Sequence, residues 1–444
     1  MKISTKHYII KEYDFFARGK ENEVLDDNAR NVLSSEAFDT LESFILTNSS
    51  TGTGNTEVVE LLSLSQRKGT GKIITAKNYV GLIITTDGTV IEILPKIHGI
   101  EKGIDEKEAI TKTKLIFLEM LRTLKEVPFF KDFDFSNLKA DRLNLFEIFI
   151  KMFVNEVTAL TKQGLKSAYI PIEENERFYK GKLLVAQNIK FNLVSKERFF
   201  VRYDEFSLNR PENRLIKSTL KYLYGYTQDS DNKRNINRLL GMFEEINFSS
   251  NYDSDFSKCS DDRSVTHYQK TLSWAKIFLK KKTFTAFAGK NIAISLLFPM
   301  EKIFESYIAE LFRKNLSTDW TMSTQDKSYY LFDKPKAFRL KPDIVLTDKN
   351  SSSKIVLDTK WKLLTQKEDI SQSDMYQMYA YGKKYSAKKV VLLYPATETE
   401  MKIKNYCDDD GVDVEIEFLN LSEKTETENA VNKILQKFVY KEVV

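Results

Sequence analysis

The sequence is poor in the side chains that build disulfides and zinc sites. Its 444 residues include two cysteines, Cys259 and Cys407, and three histidines, His7, His98 and His267. Two cysteines make no disulfide framework, and scattered Cys and His side chains provide no zinc ligand set. We therefore expect the histidines to be structural or surface residues.

Long apolar runs are also missing. The start of the chain has no secretory apolar region, and no later run reaches the roughly 20 apolar residues that span a bilayer. We therefore expect a cytoplasmic protein without a membrane partner.

A complete nucleotide-binding motif is absent as well. The stretch Gly69-Thr-Gly-Lys72 resembles part of a phosphate-binding loop, but it lacks the earlier glycine and the Ser or Thr after the lysine. The sequence therefore predicts that this chain carries no motor of its own. Its net charge of +5 permits nucleic-acid binding without requiring it.

The composition does support sizeable folded cores, because 42% of the residues are apolar and 12% are aromatic. At about 150 residues for each domain, the length suggests three domains. We predict a β-rich N-terminal domain over residues 1–110, a helical and β middle region over 111–290, and a C-terminal domain over 291–444. The fold class is α/β and α+β, multidomain.

Local patterns place the first elements of these regions. The turn Asp87-Gly88 predicts a hairpin between two apolar strands. The predicted strands are 58–62, 73–75, 79–84 and 90–94; helical patterning covers 29–47 and 112–168, β-like patterning covers 169–206, and a further helix begins near Asn213.

The stretch from Arg339 to Trp361 carries the chemistry. Two short aliphatic runs flank a turn-forming connector, which predicts a β-hairpin. Because side chains alternate along a strand, Asp358 and Lys360 share a face, and the hairpin can bring Asp343 beside them. Two carboxylates are oxygen ligands for Mg²⁺, and a nearby lysine can orient a nucleophile or neutralise charge on a phosphate. The alternative is a solvent-exposed hairpin with ordinary surface charges.

The flanking segments favour the chemical interpretation. Residues 371–386 predict a helix on which Gln377 and Tyr381 are neighbours, and the apolar strand 389–395 follows. Residues 299–314 predict an amphipathic helix on which Glu305 either reaches the metal or remains a solvated glutamate. A basic cluster, Lys334, Lys336, Arg339 and Lys341, leads into the hairpin and could neutralise DNA phosphates.

These residues resemble the PD-(D/E)xK nuclease motif, here Pro342-Asp343 followed by Asp358-Thr359-Lys360. Related nucleases often carry Gln-x-x-x-Tyr on the next helix, which Gln377 and Tyr381 match. The resemblance implies a restriction-endonuclease-like mixed α/β core at the C-terminus. It also implies Mg²⁺, with Mn²⁺ as a substitute, held by Asp343, Asp358, the Thr359 carbonyl and Glu305.

A more specific resemblance extends from about Tyr169 to the end of the chain. It is carried by Gly181-Lys-Leu, Asp204-Glu-Phe-Ser-Leu-Asn209, Asn213-Arg-Leu-Ile, Phe298-Pro-Met-Glu-Lys-Ile-Phe-Glu305 and the Asp343/Asp358/Lys360 set. Outside that range, the hairpin from Tyr79 to Lys96 also resembles the N-terminal region of longer members of the same family. Together these segments resemble McrC, the nuclease subunit of modification-dependent McrBC restriction systems. The family implies a McrB-like AAA+ GTPase ring as partner, docking through the N-terminal half, and modified double-stranded DNA as substrate.

The resemblance implies a Mg²⁺-dependent DNA endonuclease that acts on 5-methylcytosine-type sites with its ring partner and stimulates GTP hydrolysis. In that mechanism Lys360 positions the attacking water, and Gln377 and Tyr381 support the site or contact the DNA backbone. The sequence leaves two alternatives open. One is a non-cleaving DNA-binding adaptor that regulates an AAA+ partner, and the other is a self-sufficient RecB-like repair nuclease.

Overall fold

The structure is a computed structural model. It describes residues 6–19, 32–50, 61–85, 87–97, 105–124, 130, 143–259, 267–280, 292–364, 369–396, 405–409 and 411–439. The chain divides into two compact units. The first unit contains residues 1–145 and 283–444, and the second contains residues 146–282.

The strands are numbered in chain order. They are β1 (His7–Lys11), β2 (Phe15–Arg18), β3 (Val32–Leu33), β4 (Leu62–Arg67), β5 (Gly71–Ala76), β6 (Tyr79–Thr85), β7 (Val90–Leu94), β8 (Ala168–Glu176), β9 (Lys182–Leu183), β10 (Phe199–Ser207), β11 (Ile292–Pro299), β12 (Trp320–Thr324), β13 (Tyr330–Asp333), β14 (Lys336–Arg339), β15 (Ile344–Asp348), β16 (Lys354–Thr359), β17 (Lys389–Pro395), β18 (Tyr406–Cys407) and β19 (Asp413–Leu419).

The helices are numbered in the same way. They are α1 (Ser35–Ser50), α2 (Glu106–Leu121), α3 (Leu145–Gln163), α4 (Val185–Asn192), α5 (Pro211–Tyr226), α6 (Ser230–Met242), α7 (Tyr252–Lys258), α8 (Gln269–Lys280), α9 (Met300–Asn315), α10 (Gln372–Tyr385) and α11 (Lys424–Phe438). No described helix combines the length and apolarity needed to cross a membrane.

A four-stranded sheet joins the two chain segments of the first unit. Its strand order is β1-β7-β6-β11, so a strand from beyond residue 290 pairs with the N-terminal hairpin. Gly81 makes this pairing possible, because a Cβ atom there would lie 2.0 Å from the backbone oxygen of Leu296. A second four-stranded sheet, ordered β3-β2-β5-β4, shares its apolar core with the first.

A six-stranded mixed sheet forms the C-terminal part of the first unit. Its order is β12-β15-β16-β17-β19-β18, with antiparallel pairing from β12 to β16 and parallel pairing among β16, β17 and β19. Helix α10 is the crossover between the parallel strands β16 and β17. It packs Met378 and Tyr381 against Val356 and Val390, all buried.

Helix α9 lies beside this sheet and forms because its apolar side chains recur at helical spacing. The buried residues are Met300, Ile303, Phe304, Tyr307, Ile308, Ala309, Leu311 and Phe312. Ser306 donates a hydrogen bond to the backbone oxygen of Thr123 at 2.6 Å, which fastens the helix to the segment after α2.

The second unit combines a three-stranded sheet, ordered β8-β10-β9, with helices α3 to α8. Buried Glu147 accepts hydrogen bonds from the Thr227 hydroxyl at 2.6 Å and the Asn232 amide at 2.8 Å. Tyr268 donates to Asn213 at 2.9 Å. These buried polar contacts fix the helices relative to one another within the unit.

The observed elements confirm much of the local prediction around the Arg339–Trp361 stretch. The hairpin is β15 and β16, the flanking helices are α9 and α10, and the following strand is β17. The fold class, mixed α/β and multidomain with several sheets, agrees with the prediction. The strand that follows Asp343 begins at Ile344, while Arg339 belongs to the separate strand β14.

Other elements differ from the pattern-based expectation. Helix α4 interrupts the β-like stretch 169–206. The sequence pattern did not predict this helix, because its apolar residues Val185, Ile189 and Phe191 are exposed and form no buried helical stripe. Most of the segment between α2 and α3, within the predicted helical stretch 112–168, lies outside the described residues, as do 29–31 and 58–60. The two compact units do not test the predicted domains 1–110, 111–290 and 291–444, which stay a prediction.

Candidate active site

Asp343 and Asp358 lie side by side at one end of the central hairpin. Ile344 of β15 pairs with Leu357 of β16, so the residues just beyond this pair are the two aspartates. Asp358 is 2% exposed. The predicted juxtaposition of the two carboxylates is therefore present in the structure.

Asp343 is held by the strand that carries Asp358. Its Oδ2 atom accepts hydrogen bonds from the Thr359 amide at 2.8 Å and from the Thr359 hydroxyl at 2.7 Å. Thr359 thus fixes the orientation of the Asp343 carboxylate through its N–H and O–H groups.

Lys360 completes the cluster. Its Nζ atom lies 2.7 Å from Asp358 Oδ2 and donates to Gln377 Oε1 at 3.1 Å. Gln377 in turn donates through Nε2 to the Tyr381 hydroxyl at 2.6 Å. Gln377 and Tyr381 of helix α10 therefore hold the lysine against Asp358, and all five predicted polar side chains of the site lie together.

Burial and mutual charge control the protonation of this cluster. Desolvation, reinforced by the neighbouring Asp343 charge, raises the pKa of Asp358 to about 7. Burial also raises the pKa of Asp343, against the opposing effect of the Thr359 hydrogen bonds. Burial lowers the pKa of Lys360, but the Asp358 charge and hydrogen bond outweigh it, so the lysine pKa is raised. Lys360 is therefore a firmly held cation.

Gln325, which follows β12, is a member of the site that the sequence did not indicate. Its backbone amide donates to the Asp343 backbone oxygen at 2.9 Å, and its side-chain Nε2 donates to Asp343 Oδ1 at 3.3 Å and to Glu305 Oε1. The residue has a φ of 53°, the left-handed region that non-glycine residues rarely adopt. This glutamine links Glu305 of α9 to Asp343.

The residues fit a divalent cation of the magnesium type. Mg²⁺ keeps several waters and takes only one or two protein carboxylates, which Asp343 and Asp358 supply. The two buried carboxylates repel each other, and one lysine lies beside them. A divalent cation between the carboxylates would reduce this repulsion and would therefore be stabilised there. Within the described ranges, no group of three or more His, Cys, Asp or Glu side chains is arranged as a metal site.

A cavity of about 560 Å³ opens beside the cluster. Glu305 and Gln325 lie in its wall, together with the lysines Lys302, Lys314 and Lys341. The whole wall carries six cations against three glutamates, namely Arg122, Lys302, Arg313, Lys314, Lys341 and Lys424 against Glu119, Glu305 and Glu310. This excess of positive charge beside the carboxylate pair suits an anionic ligand.

Comparison with known proteins identifies the family. The sequence model described as "McrBC 5-methylcytosine restriction system component" matches residues 74–395. No curated protein sequence matches this chain.

The fold also matches a solved structure. A chain in a half-complex from the tetradecameric assembly of Thermococcus gammatolerans McrB AAA+ hexamers with bound McrC superposes with a TM-score of 0.68 at 19% identity, covering 98% of this chain and 100% of that one. A chain of the cryo-EM structure of the Thermococcus gammatolerans McrBC complex gives a TM-score of 0.48 at 18% identity, covering 70% of this chain and 89% of that one. The family match spans most of the sequence, and the chain therefore belongs to the McrBC 5-methylcytosine restriction system component family.

Proposed function

We propose that this chain is the nuclease subunit of a modification-dependent restriction complex and hydrolyses DNA phosphodiester bonds with Mg²⁺. The observation that carries the proposal is the convergence of Asp343, Asp358 and Lys360 at one end of a β-hairpin. The mixed sheet with its crossover helix α10 supports a PD-(D/E)xK core, since that motif requires both acids and the lysine on neighbouring strands.

The metal site would use the two aspartates. Asp343 and Asp358 would hold Mg²⁺, or Mn²⁺ as a substitute, with Glu305 and the Thr359 carbonyl as further candidate ligands. When bound, the ion supplies positive charge for the phosphate and lowers the pKa of a water molecule.

The chain's own residues would prepare the reaction. Lys360 keeps its proton because of Asp358, so it donates a hydrogen bond to the attacking water or to a phosphate oxygen and does not act as a base. Gln377 and Tyr381 fix the position of that ammonium group. Thr359 and Gln325 orient the Asp343 carboxylate before the substrate arrives.

The lysines beside the cluster support a phosphate-bearing substrate. Lys302, Lys314 and Lys341 line the adjoining cavity, where they could contact phosphates on either side of the one that is cut. The family description names 5-methylcytosine, which supports DNA that carries this base as the target.

A McrB-like AAA+ GTPase ring is the proposed partner. The similar structure contains McrB AAA+ hexamers with bound McrC, and its likeness covers nearly the whole of this chain. The second unit also exposes large apolar side chains, including Phe178 (81%), Leu193 (72%) and Val194 (91%), as docking surfaces do. We propose that binding of this chain stimulates GTP hydrolysis by the ring.

The test is cleavage of a 5-methylcytosine-containing plasmid with Mg²⁺, by this chain alone and with its AAA+ partner and GTP. Cleavage that requires partner, nucleotide and methylated DNA is the expected result. Efficient cleavage by the chain alone would instead show a self-sufficient repair-type nuclease. Stimulated GTP hydrolysis without any strand cleavage would show a regulatory adaptor.

A further inference from the structure

Residues 326–342 leave the six-stranded sheet between Gln325 and Asp343 and contain a separate two-stranded hairpin. Strands β13 and β14 pair only with each other among the described strands. Because the Gln325 amide donates to the Asp343 backbone oxygen at 2.9 Å, both ends of this excursion lie at the candidate active site.

The hairpin is fastened to the same helix that holds the lysine. A hydrogen bond from the Leu340 backbone amide to the Tyr329 backbone oxygen, 3.0 Å long, closes the base of the hairpin. The Tyr329 ring packs against Tyr385 of α10, with centroids 4.6 Å apart. Lys384 of α10 forms an ion pair with Asp333 at 2.8 Å. The hairpin therefore has a defined place relative to the carboxylates.

Two aromatic side chains project from this hairpin into solvent. Phe332 is 55% exposed and Phe338 is 74% exposed, and their ring centroids lie 6.0 Å apart in an edge-to-face arrangement. Exposed aromatic pairs of this size contribute little to a folded core, and such pairs on a surface are typical of a site that contacts another molecule.

The backbone brings these two rings together. Phe332 pairs with Ala337, so regular alternation would direct the next residue, Phe338, to the opposite face. Phe338 instead has a φ of 55°, the left-handed region that is strained for an aromatic residue, and its ring contacts Phe332. Strain of this kind concentrates at functional sites.

The charges around the aromatic pair indicate which kind of molecule it contacts. Residues 326–342 contain five cations and two carboxylates: Lys327, Lys334, Lys336, Arg339 and Lys341 against Asp326 and Asp333. Asp326 accepts a hydrogen bond from the Tyr385 hydroxyl at 2.8 Å. Asp333 is already paired with Lys384. Exposed aromatic rings within a lysine and arginine surface fit a nucleic acid, whose phosphates bind the cations and whose bases stack on the rings.

We propose that the β13–β14 hairpin is an aromatic wedge that inserts Phe332 and Phe338 between DNA bases close to the phosphate that is cut. The proposal rests on the nuclease function proposed above. Phe338 precedes Asp343 by five residues, a reach of at most about 18 Å. That distance corresponds to roughly five base steps along the duplex. The wedge would unstack the target and present the scissile phosphate to the carboxylates.

Permanganate footprinting tests the wedge directly, because permanganate oxidises unstacked thymines. The probe is a 5-methylcytosine-containing plasmid bound by the full-length Asp358→Ala chain with its AAA+ partner and GTP. We expect hyperreactive thymines in the bound DNA. Adding Phe332→Ala and Phe338→Ala should reduce that reactivity roughly tenfold, and Phe338→Trp should retain it. Tyr406→Ala, which removes an exposed aromatic residue elsewhere, is the matched control.

The outcomes separate the wedge from the nuclease proposal. Bound, uncut plasmid without hyperreactive thymines, or hyperreactivity that survives removal of both phenylalanines, overturns the wedge and leaves the nuclease function standing. Cleavage by the Asp358→Ala chain overturns the assignment of Asp358 as a catalytic residue. In that case the permanganate reactivity of the thymines still tests the wedge separately. Loss of AAA+ ring binding in the double phenylalanine variant would instead assign the aromatic pair to a protein partner and overturn the wedge.

Discussion

Trp361 donates its indole N–H to Glu12 at 2.8 Å, across 349 residues of sequence. The tryptophan directly follows Lys360, and its ring packs edge-on against Phe304 of α9 with centroids 5.2 Å apart. Glu12 also accepts the Lys96 amide at 2.8 Å. A carboxyl group from the turn between β1 and β2 therefore braces the segment that carries the candidate catalytic lysine.

Glu12 predicts a specific pH dependence of stability. Burial raises its pKa from 4.5 to about 7, so the folded state binds this proton more tightly than the unfolded state does. Its contribution is therefore present below pH 4.5 and is lost as the pH rises through 7. At higher pH the buried charge costs about 3 kcal/mol.

The measurement is the thermal unfolding midpoint at pH 5 and pH 8 for the wild-type chain and for Glu12→Gln. Glutamine can still accept both hydrogen bonds but cannot ionise, so the variant should lose less stability at pH 8 than the wild type. Glu36→Gln, which changes an exposed glutamate, is the control. An unchanged pH dependence in Glu12→Gln would show that this carboxyl group does not titrate with folding.

Gln325 should affect the rate of cleavage by orienting the Asp343 carboxylate. Removing its side chain with Gln325→Ala deletes hydrogen bonds to Asp343 and Glu305. Because one such bond is worth about 1 kcal/mol, cleavage should slow by roughly five- to tenfold in kcat with little change in KM. Thr321→Ala, on the same strand β12 with an exposed side chain, should cleave normally. A normal kcat in Gln325→Ala would remove the glutamine from the site.

Lys360 should be required for cleavage and dispensable for partner binding. Lys360→Met removes the cation that contacts Asp358 and Gln377, and loss of such preorganised charge typically lowers kcat by about 100- to 1,000-fold. GTP hydrolysis stimulated by the variant should remain at the wild-type level. Lys433→Met on the exposed face of α11 is the matched control. Equal loss of GTPase stimulation and cleavage would indicate a misfolded or undocked chain.

The candidate site could be predicted from sequence where its parts are local. Asp343 and Asp358 belong to one hairpin, and the periodicity of its strands fixes which side chains share a face. Gln377 and Tyr381 are four residues apart on one helix, so their proximity is also a local property.

Long-range contacts left no comparable signal. Gln325 joins the site because β12 pairs with β15, and Glu12 reaches Trp361 because the N-terminal sheets pack within the same unit. The pairing of β6 with β11 likewise joins segments more than 200 residues apart, a register that no local pattern specifies. Helix α4 was not predicted for another reason, because its apolar residues are exposed and form no buried face.

The most direct test of the central claim compares Asp358→Ala with Asp319→Ala in the complete complex with its AAA+ partner, GTP, Mg²⁺ and a 5-methylcytosine-containing plasmid. Asp319 is exposed and follows α9, outside the candidate site. We expect Asp358→Ala to lose cleavage by at least about a hundredfold while it still stimulates GTP hydrolysis, and Asp319→Ala to cleave normally. Cleavage by Asp358→Ala at the wild-type rate would contradict the account.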